Sequence, residues 1–357
     1  MGGTTSTWAD GQVPSADDID ADLVEVANAD PVAAKAFVGL SPGRLALIRL
    51  RRDKTAVVAF WVLVFFLLVA IFAPVIQWIY GYNATTTNSS LLDDTGFPLG
   101  YLGGITFGSD NPSHHMHIFG VEPVVGRDLF MQVVWGLRTS FEIAFVATVL
   151  STALGVVVGI VTAYFGGWVD AVVSWFIDYM LAFPFFLFCL AIIPVINTRL
   201  ADSGGCNCEV SAGKRVLTII IVFSFFGWMY TARLVRGQVL SLREREYVDA
   251  ARAVGAPVRH ILFRQLLPNL WAPILISFSL GVPATITAEA ALSFLNIGVI
   301  EPTPDLGRII NTGASFISGL PDPMYLVIPG ALIFILVLAF NLFGDALRDA
   351  LDPKSSK

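Results

Sequence analysis

The sequence predicts an all-α integral membrane protein with six transmembrane helices. Two observations lead to this prediction, the composition and the length of the apolar runs. The 357 residues are 55% hydrophobic and only 14% charged, and the mean hydropathy is +0.71. Soluble domains carry about 25% charged residues, so this composition is not that of an ordinary soluble domain. Apolar runs of about 20 residues are long enough to cross the hydrocarbon core as helices.

Six apolar runs divide the chain. The predicted spans are 55–79, 139–164, 169–196, 215–234, 273–297 and 325–343. The predicted regions are an acidic cytoplasmic tail (1–43), a basic flank with the first helix (44–80), an external loop (81–137), a core of five further helices (138–345) with a polar loop (240–270), and a cytoplasmic tail (346–357). The first tail lacks an apolar core, so we expect disorder rather than a signal peptide. A proline-rich loop is expected at 298–323.

The basic residues predict the orientation. A cluster that includes Arg49, Arg51, Arg52 and Lys54 directly precedes the first span, and such clusters stay in the cytoplasm. Starting inside, six spans return the C-terminus to the inside. Most of the 22 Lys and Arg residues then fall in cytoplasmic segments, which include the polar loop 240–270.

The sequence contains no recognisable catalytic or metal-binding arrangement. There is no Gly-Lys-Ser/Thr phosphate loop and no Ser-His-Asp or His-Glu-x-x-His pattern. His114, His115 and His117 share a loop without a convincing fourth ligand. Cys206 and Cys208 are so close in sequence that a ring between them would be strained. We therefore expect no catalytic residue, no metal site, no bound cofactor and no enzymatic activity of this chain.

Four polar residues within or at the end of spans are candidates for a translocation path: Glu142, Asp178, Glu289 and Asn296. An ionised carboxylate at a span centre costs about 2.5–3.5 kcal/mol on insertion scales, so Asp178 and Glu289 should avoid lipid. Glu142 lies nearer a span end and is less costly. These side chains could line a hydrophilic path or bond to neighbouring helices, and the sequence leaves both roles open.

Residues 246–269 form a polar interruption between two apolar blocks. Small and apolar residues recur there at helical spacing, which predicts an amphipathic helix. Gly255 suits a left-handed helix end, and Pro257 cannot continue the preceding helix without strain. The pattern therefore predicts a short helix, a turn at the glycine and a second short helix that leads into Pro268.

The same segment resembles the cytoplasmic "EAA" loop of bacterial ABC importer permeases. That signature is Glu-Ala-Ala, three residues, Gly, nine residues and Ile-x-Leu-Pro, and this chain has DAARAVG at 249–255 and QLLP at 265–268. The matching positions are Ala250, Ala251, Gly255, Leu267 and Pro268. Asp249 stands where Glu is usual, and Gln265 stands where Ile is usual.

Further segments resemble the C-type permease subunit of dipeptide and oligopeptide importers, a group that also includes nickel permeases. The similar segments are GSD at 108–110, GRDLF at 126–130, GLRTS at 136–140, ITAEAALSFLNIGVIEPTPDLG at 286–307 and GDALRDALDP at 344–353. The resemblance covers about residues 57–353. It departs from the family in the histidine-bearing insert before GRDLF and in Leu306, where Trp is usual.

The resemblance implies a type I ABC importer permease that imports di- or oligopeptides across the cell's inner (plasma) membrane. The implied partners are a second homologous permease, two ATP-binding subunits that hold ATP and Mg²⁺, an extracytoplasmic solute-binding protein, the peptide and membrane lipid, without nucleic acid. The implied ATPase-coupling residues are Glu246, Asp249, Ala250, Ala251, Arg252, Gly255, Leu267 and Pro268, with the alanines allowing close approach. The alternatives are import of nickel or another small solute by the same class, or a stand-alone secondary transporter or channel.

Overall fold

The computed structural model describes residues 42–99, 117–202, 211–316 and 324–351. These residues are almost entirely helical, and their only β pairings are isolated bridges, so the predicted all-α class is confirmed. Predictions about residues 1–41, the histidines at 114 and 115 and the cysteines at 206 and 208 lie outside the described residues.

Eleven helices of eight residues or more are described. They are α1 Pro42–Arg52, α2 Lys54–Ile71, α3 Ala73–Tyr80, α4 Leu129–Phe165, α5 Gly167–Leu181, α6 Phe185–Asp202, α7 Ala212–Leu242, α8 Glu246–Ala253, α9 Trp271–Phe294, α10 Leu306–Phe316 and α11 Met324–Leu351. Five stretches are long and apolar enough to cross a membrane: α2, α4, α7, Val258–Phe294 and α11. The pair α5 and α6 makes a sixth if it counts as one span.

The third predicted span is broken rather than straight. α5 and α6 meet at an angle of 85° across a short break that ends at Pro184. Proline lacks a backbone N–H and its ring clashes with the preceding turn, so the helix cannot continue through this position unbent. The hydropathy of residues 169–196 predicts an apolar run long enough for one span, but it does not predict the bend within that run.

Two helices differ from the loops that the sequence predicts, since one begins within a predicted loop and the other lies wholly inside one. α4 begins inside the predicted loop 81–137, and its 37 residues make it about 55 Å long. α10 lies within the predicted loop 298–323. Each begins after an aspartate that caps it: Asp128 Oδ1 accepts from the N–H of Met131 at 2.7 Å, and Asp305 Oδ1 accepts from the N–H of Arg308 at 3.0 Å. Hydropathy does not detect such caps.

α4 and α7 approach each other closely at glycines. A Cβ added at Gly155 would lie 2.6 Å from Thr231 Cβ, and one added at Gly159 would lie 2.7 Å from the carbonyl oxygen of Ala232. On α7, a Cβ at Gly227 would lie 2.8 Å from Ser151 Cβ. The GVVVG spacing of 155–159 places both α4 glycines on one face, as in small-residue contacts between membrane helices.

α2, α9 and α11 complete the bundle around α4. α2 packs against α4 and α11, and α9 packs against α4, α7 and α11. The largest buried cluster lies between these helices and includes Phe66, Leu137, Phe141, Ile286 and Leu336. We call the end of the bundle where α4 and α7 end and α9 begins the motif end, because it carries α8.

The opposite end, which we call the cap end, carries a buried polar network. Arg127 donates to Glu122 at 2.5 and 2.9 Å and to Glu301 Oε1 at 2.8 Å, and Arg308 Nη1 donates to the same Glu301 oxygen at 2.6 Å. Both guanidinium groups are buried, whereas the Glu301 side chain is mostly exposed. The hydrogen bond from Arg127 lowers the pKa of Glu301, and the charges of both arginines add to this effect.

A second cap-end cluster holds α3 against the start of α4. His117 Nδ1 lies 2.6 Å from Asp128 Oδ2, and the Tyr80 hydroxyl donates to the same oxygen at 3.1 Å. The N–H of Ile118 donates to the Tyr80 oxygen at 3.0 Å. Burial and the nearby Asp128 carboxylate raise the pKa of the Tyr80 hydroxyl, so it stays protonated and can act as a donor. This histidine therefore has a structural partner.

Gly155→Ala should lower the thermal unfolding midpoint in detergent. Overpacking costs about 1–3 kcal/mol, which exceeds the gain of about 1 kcal/mol in helix propensity. Gly237→Ala on α7 is the matched control, because a Cβ there meets nothing within 4 Å. A Gly155→Ala midpoint at or above that of the control would contradict the close contact.

The cap-end ion pairs predict a pH dependence of stability. Because the pKa of Glu301 is lowered from 4.5 in the folded protein, its pairs stabilise the fold above that pH and are lost as the pH falls through the lower folded value. Glu301→Gln should therefore show a flatter decline of the unfolding midpoint below pH 4.5 than the unmodified protein. Asp94→Asn removes an exposed cap-end acid and should retain the original profile. Equal slopes for Glu301→Gln and the original chain would refute this assignment.

Candidate coupling surface and polar sites in the bundle

α8 lies against the motif end and is anchored by one buried side chain. Val248 is fully buried in a cluster with Ile160 of α4, Val235 of α7 and the segment before α9, including Ile261 and Leu266. Glu246 and Asp249 lie in the first turn of α8, where acidic groups favour the helix dipole. This short helix is therefore held by packing against three elements.

The two alanines of the motif face different ways. Ala250 is exposed, whereas Ala251 is partly buried against the cluster that holds Val248. Adjacent helical residues point about 100° apart, and in α8 this rotation turns Ala251 toward the bundle while Ala250 faces outward. Ala251 permits close approach of α8 to its own bundle, and Ala250 lies on the outward surface with Glu246, Asp249 and Arg252.

Gly255 forms the predicted turn. Its φ is +80°, and its N–H donates to the carbonyl oxygen of Arg252 at 2.9 Å, while the N–H of Ala256 donates to that of Ala251 at 3.0 Å. A Cβ at this glycine would meet nothing within 4 Å, so the left-handed backbone, not crowding, requires glycine. The preceding Val254 is 88% exposed and forms the tip of the surface.

The chain returns to the bundle through three short turns. These are Val258–His260, the π-helical Ile261–Leu266 and the 3₁₀ turn Leu267–Leu270. Leu267 packs partly into the Val248 cluster, and Pro268 is exposed. The predicted second short helix is therefore present as irregular helical turns that lead directly into α9.

Arg252 links α8 to the end of α4. Its Nη1 donates to Asp249 Oδ1 at 3.2 Å, and its guanidinium lies 5.4 Å from the ring centroid of Tyr164. Both ionised side chains of this pair are exposed, and exposed pairs stabilise a fold little. The pair therefore orients the Asp249 and Arg252 side chains on the outward surface but contributes little to holding α8 in place.

The four translocation-path candidates do not meet at one site. Glu289 is fully buried and accepts hydrogen bonds from Ser140 Oγ at 2.9 Å and Ser293 Oγ at 3.0 Å, so it joins α9 to α4. Asp178 pairs with Arg233 on the exposed side of α5 and α7. These contacts correspond to the second role that the sequence left open, bonding to neighbouring helices.

The other two candidates lie in separate places. Glu142 is exposed in a groove lined mainly by apolar side chains of α2, α4, α9 and α11, six of which are phenylalanines, and it lies one helical turn from Arg138. Asn296 lies at the cap end with φ +58°, and its Nδ2 donates to Asn311 Oδ1 at 3.3 Å. Among the described residues, no group of three His, Cys, Asp or Glu side chains could hold a metal ion.

Sequence reasoning missed a groove between α4, α7 and α9 whose lining combines seven hydroxyl-bearing side chains with apolar ones such as Phe223 and Leu280. Its volume is about 530 Å³. The signal was present in the sequence, since Thr148, Ser151 and Thr152 recur at the i, i+3, i+4 spacing of one helix face. A pattern of charged residues alone does not reveal this groove.

Comparison with protein families gives two matches. Residues 155–357 match the model of the binding-protein-dependent transport system inner membrane component. Residues 41–93 match the N-terminal transmembrane domain of oligopeptide transport permease C. The two matches together cover α1, α2 and most of the bundle from the middle of α4 onward.

Several curated proteins are similar over most of their length. The dipeptide transport system permease protein DppC of Alkalihalophilus pseudofirmus is 33% identical over 324 residues, 89% of this chain and 92% of that protein. The oligopeptide transport system permease protein OppC of Bacillus subtilis is 33% identical over 331 residues, 93% and 96% of the two chains. The glutathione transport system permease protein GsiD of Escherichia coli is 32% identical over 306 residues, 86% and 88%.

These matches agree with the helical membrane fold and with the motif at the turn after α8. The relatives are permease subunits of transport systems rather than enzymes, and the family name places them in the inner membrane. The chain therefore belongs to the binding-protein-dependent transport system inner membrane components, as an ABC importer permease of the dipeptide and oligopeptide group.

Proposed function

We propose that this chain forms half of the translocation path of an ATP-driven importer of di- and oligopeptides. In this proposal its partners are a second permease, two ATP-binding subunits that carry ATP and Mg²⁺, and a solute-binding protein. The observation that carries the coupling role is the surface of α8 and its turn. Val254 and Ala250 are exposed there, while Val248 anchors the same helix in the bundle.

An exposed valine at the tip of a firmly packed helix suits a protein partner. A partner that covers it removes apolar area from water, at about 25 cal/mol per Å². The small side chain of Ala250 would let the partner approach the helix backbone, and Asp249 and Arg252 supply polar contacts at the rim. The surface therefore fits a groove on an ATPase subunit.

The distribution of charge supports a cytoplasmic position for this surface and for both termini. Arg49, Arg51 and Arg52 form the last turn of α1, directly before α2. α2 runs from this basic turn toward α3, which packs at the cap end, so the basic turn lies at the motif end of the bundle. Basic residues close to membrane helices remain in the cytoplasm. The cap end would then face outward, toward the solute-binding protein.

Movement of α8 would reach the membrane helices through the Val248 cluster. That cluster contains residues of α4, α7 and the turns before α9, so a displacement of α8 would also displace these elements. Close-packed interfaces move between discrete arrangements rather than deforming continuously. Closure of the ATPases on ATP would thus shift several helices together and change which side of the membrane has access to the path.

A peptide solute is supported by the names of the relatives. The transport systems of these relatives are named for dipeptides, oligopeptides and glutathione, which is itself a tripeptide. Uptake assays with short peptides and with nickel on the assembled transporter would distinguish peptide import from the nickel alternative. Transport by this chain alone in liposomes would instead favour a stand-alone transporter or channel.

Val254→Asp should lower peptide-stimulated ATPase activity of the reconstituted transporter by about tenfold or more, while the protein still inserts. Burial of an unpaired carboxylate opposes docking by at least the 1.4 kcal/mol that corresponds to tenfold. Val254→Ile is the control, because it keeps an apolar side chain at the same exposed position.

Co-purification of the ATPase subunits separates loss of docking from loss of folding. We expect Val254→Asp to reduce the amount of bound ATPase, and Val254→Ile to retain it. Unchanged stimulated ATPase activity and unchanged ATPase binding in Val254→Asp would show that α8 is not the coupling element.

A further inference from the structure

The surface of the bundle carries three grooves whose chemistry differs. The hydroxyl groove lies between α4, α7 and α9 and has a volume of about 530 Å³. Its hydroxyl-bearing lining includes Thr148, Thr152, Tyr230, Thr231, Ser277 and Thr285. None of the side chains that line it is charged.

The other two grooves are apolar. One, which we call the valine groove, lies on the opposite side of α9 and α4, with Thr152 as the one hydroxyl among its described lining residues. The other, the phenylalanine groove, is lined by aromatic and aliphatic side chains of α2, α4, α9 and α11, with Arg138 and Glu142 at one side. Apolar linings of this kind suit lipid tails or another apolar helix.

The position of the hydroxyl groove makes lipid an unsuitable occupant. Tyr230 lies in the central part of α7, and Ser277 and Thr285 lie six and nine residues from the nearer ends of α9, within its apolar run. At this depth a hydroxyl that faces hydrocarbon without a partner is costly. A surface that only contacts lipid would carry valine or leucine here, as the valine groove does.

Some hydroxyls of the groove are satisfied by their own helix, and others are not. Thr285 Oγ1 donates to the carbonyl oxygen of Gly281 at 2.9 Å, and Ser151 Oγ donates to that of Thr148 at 3.1 Å. By contrast, the hydroxyls of Tyr230 and Ser277 form no hydrogen bond within the described part of the chain. These two groups are free to bind an external partner.

The walls of the hydroxyl groove are fixed by the glycine contacts. Thr231 contacts Gly155, Ser151 contacts Gly227, and a Cβ at Gly281 would lie 3.0 Å from Thr148 Cγ2. These positions leave little room for the helices to shift against one another. The hydroxyl groups are therefore held at defined places along the groove.

A peptide main chain is the solute that matches this lining. Each peptide unit carries one N–H donor and one C=O acceptor, and a hydroxyl can both donate and accept. Hydroxyls can therefore bind the backbone of any peptide without selecting its side chains. Because none of the described lining residues is charged, the groove would not bind an ionised solute so tightly that its release becomes slow.

We propose that the hydroxyl groove is this chain's share of the path along which the peptide main chain crosses the membrane. This inference rests on the proposed peptide import. It assigns the contact with the solute to Tyr230 and Ser277 rather than to Glu142, Asp178, Glu289 or Asn296. The bound peptide would exchange its hydrogen bonds to water for bonds to these hydroxyls.

Single-hydroxyl deletions in the reconstituted transporter give the first test. Tyr230→Phe and Ser277→Ala should each raise the KM for peptide uptake by about two- to tenfold, as expected for one lost neutral hydrogen bond. Tyr179→Phe, the same change on an exposed tyrosine of α5 outside the groove, should leave KM unchanged. Unchanged KM in both groove variants would overturn the proposal.

Cysteine labelling gives the second test. In a background with the three native cysteines replaced by alanine, Tyr230→Cys and Ser277→Cys should react with a charged, water-soluble methanethiosulfonate, and saturating peptide should slow that reaction. Val157→Cys in the valine groove should react only with a lipid-soluble maleimide. Groove cysteines that react only with the maleimide, or equally with and without peptide, would overturn the proposal.

Peptide-stimulated ATPase activity of the same preparations distinguishes failure of the groove assignment from failure of the proposed peptide import. Stimulation by peptide without protection of the groove cysteines would refute the groove and leave peptide import standing. Lack of stimulation by any peptide in the native transporter would refute peptide import and the groove together. Should the cysteine-free background fold poorly, the KM comparison in the native chain still decides the question.

Discussion

The close contact between α4 and α7 is the constraint on which the other sites depend. Lipid tails are as apolar as leucine, so no hydrophobic force brings two membrane helices together, and tight packing must do so. Gly155 and Gly159 make that packing possible. The same pair of helices continues into the Val248 cluster, which anchors α8. The hydroxyl groove and the coupling surface are thus built on one helix pair.

Polar groups inside the bundle follow a consistent rule. The buried Glu289 is surrounded by serine hydroxyls, and Asp170 receives two hydrogen bonds from Arg236, at 2.5 and 2.7 Å. Arg243 donates to the carbonyl oxygen of Ala163 at 2.8 Å, near the end of α4. Each group is satisfied within the chain because the bilayer offers no water. The exceptions among the described residues include Gln132 Oε1 and Asn197 Oδ1, which are buried without a partner, and the hydroxyls of Tyr230 and Ser277 in the groove.

The sequence was sufficient for five of the six predicted spans and for the turn at Gly255, because apolar length and a left-handed glycine have local causes. It could not separate Ala250 from Ala251, since their roles depend on which side of α8 meets the bundle. It also could not assign Glu289, whose serine partners lie on two helices and include Ser140, distant in sequence. The start of α4 depended on a cap at Asp128 that hydropathy does not register.

The length of α4 has a mechanical consequence. It runs as a single helix from Leu129 at the cap end to Phe165 beside α8. A stiff rod of about 55 Å acts as a lever, so a tilt of about 5° at one end displaces the other end by about 5 Å. A small shift under Val248 would therefore appear at Asp128 as a movement as large as one helical turn, without any hinge between them.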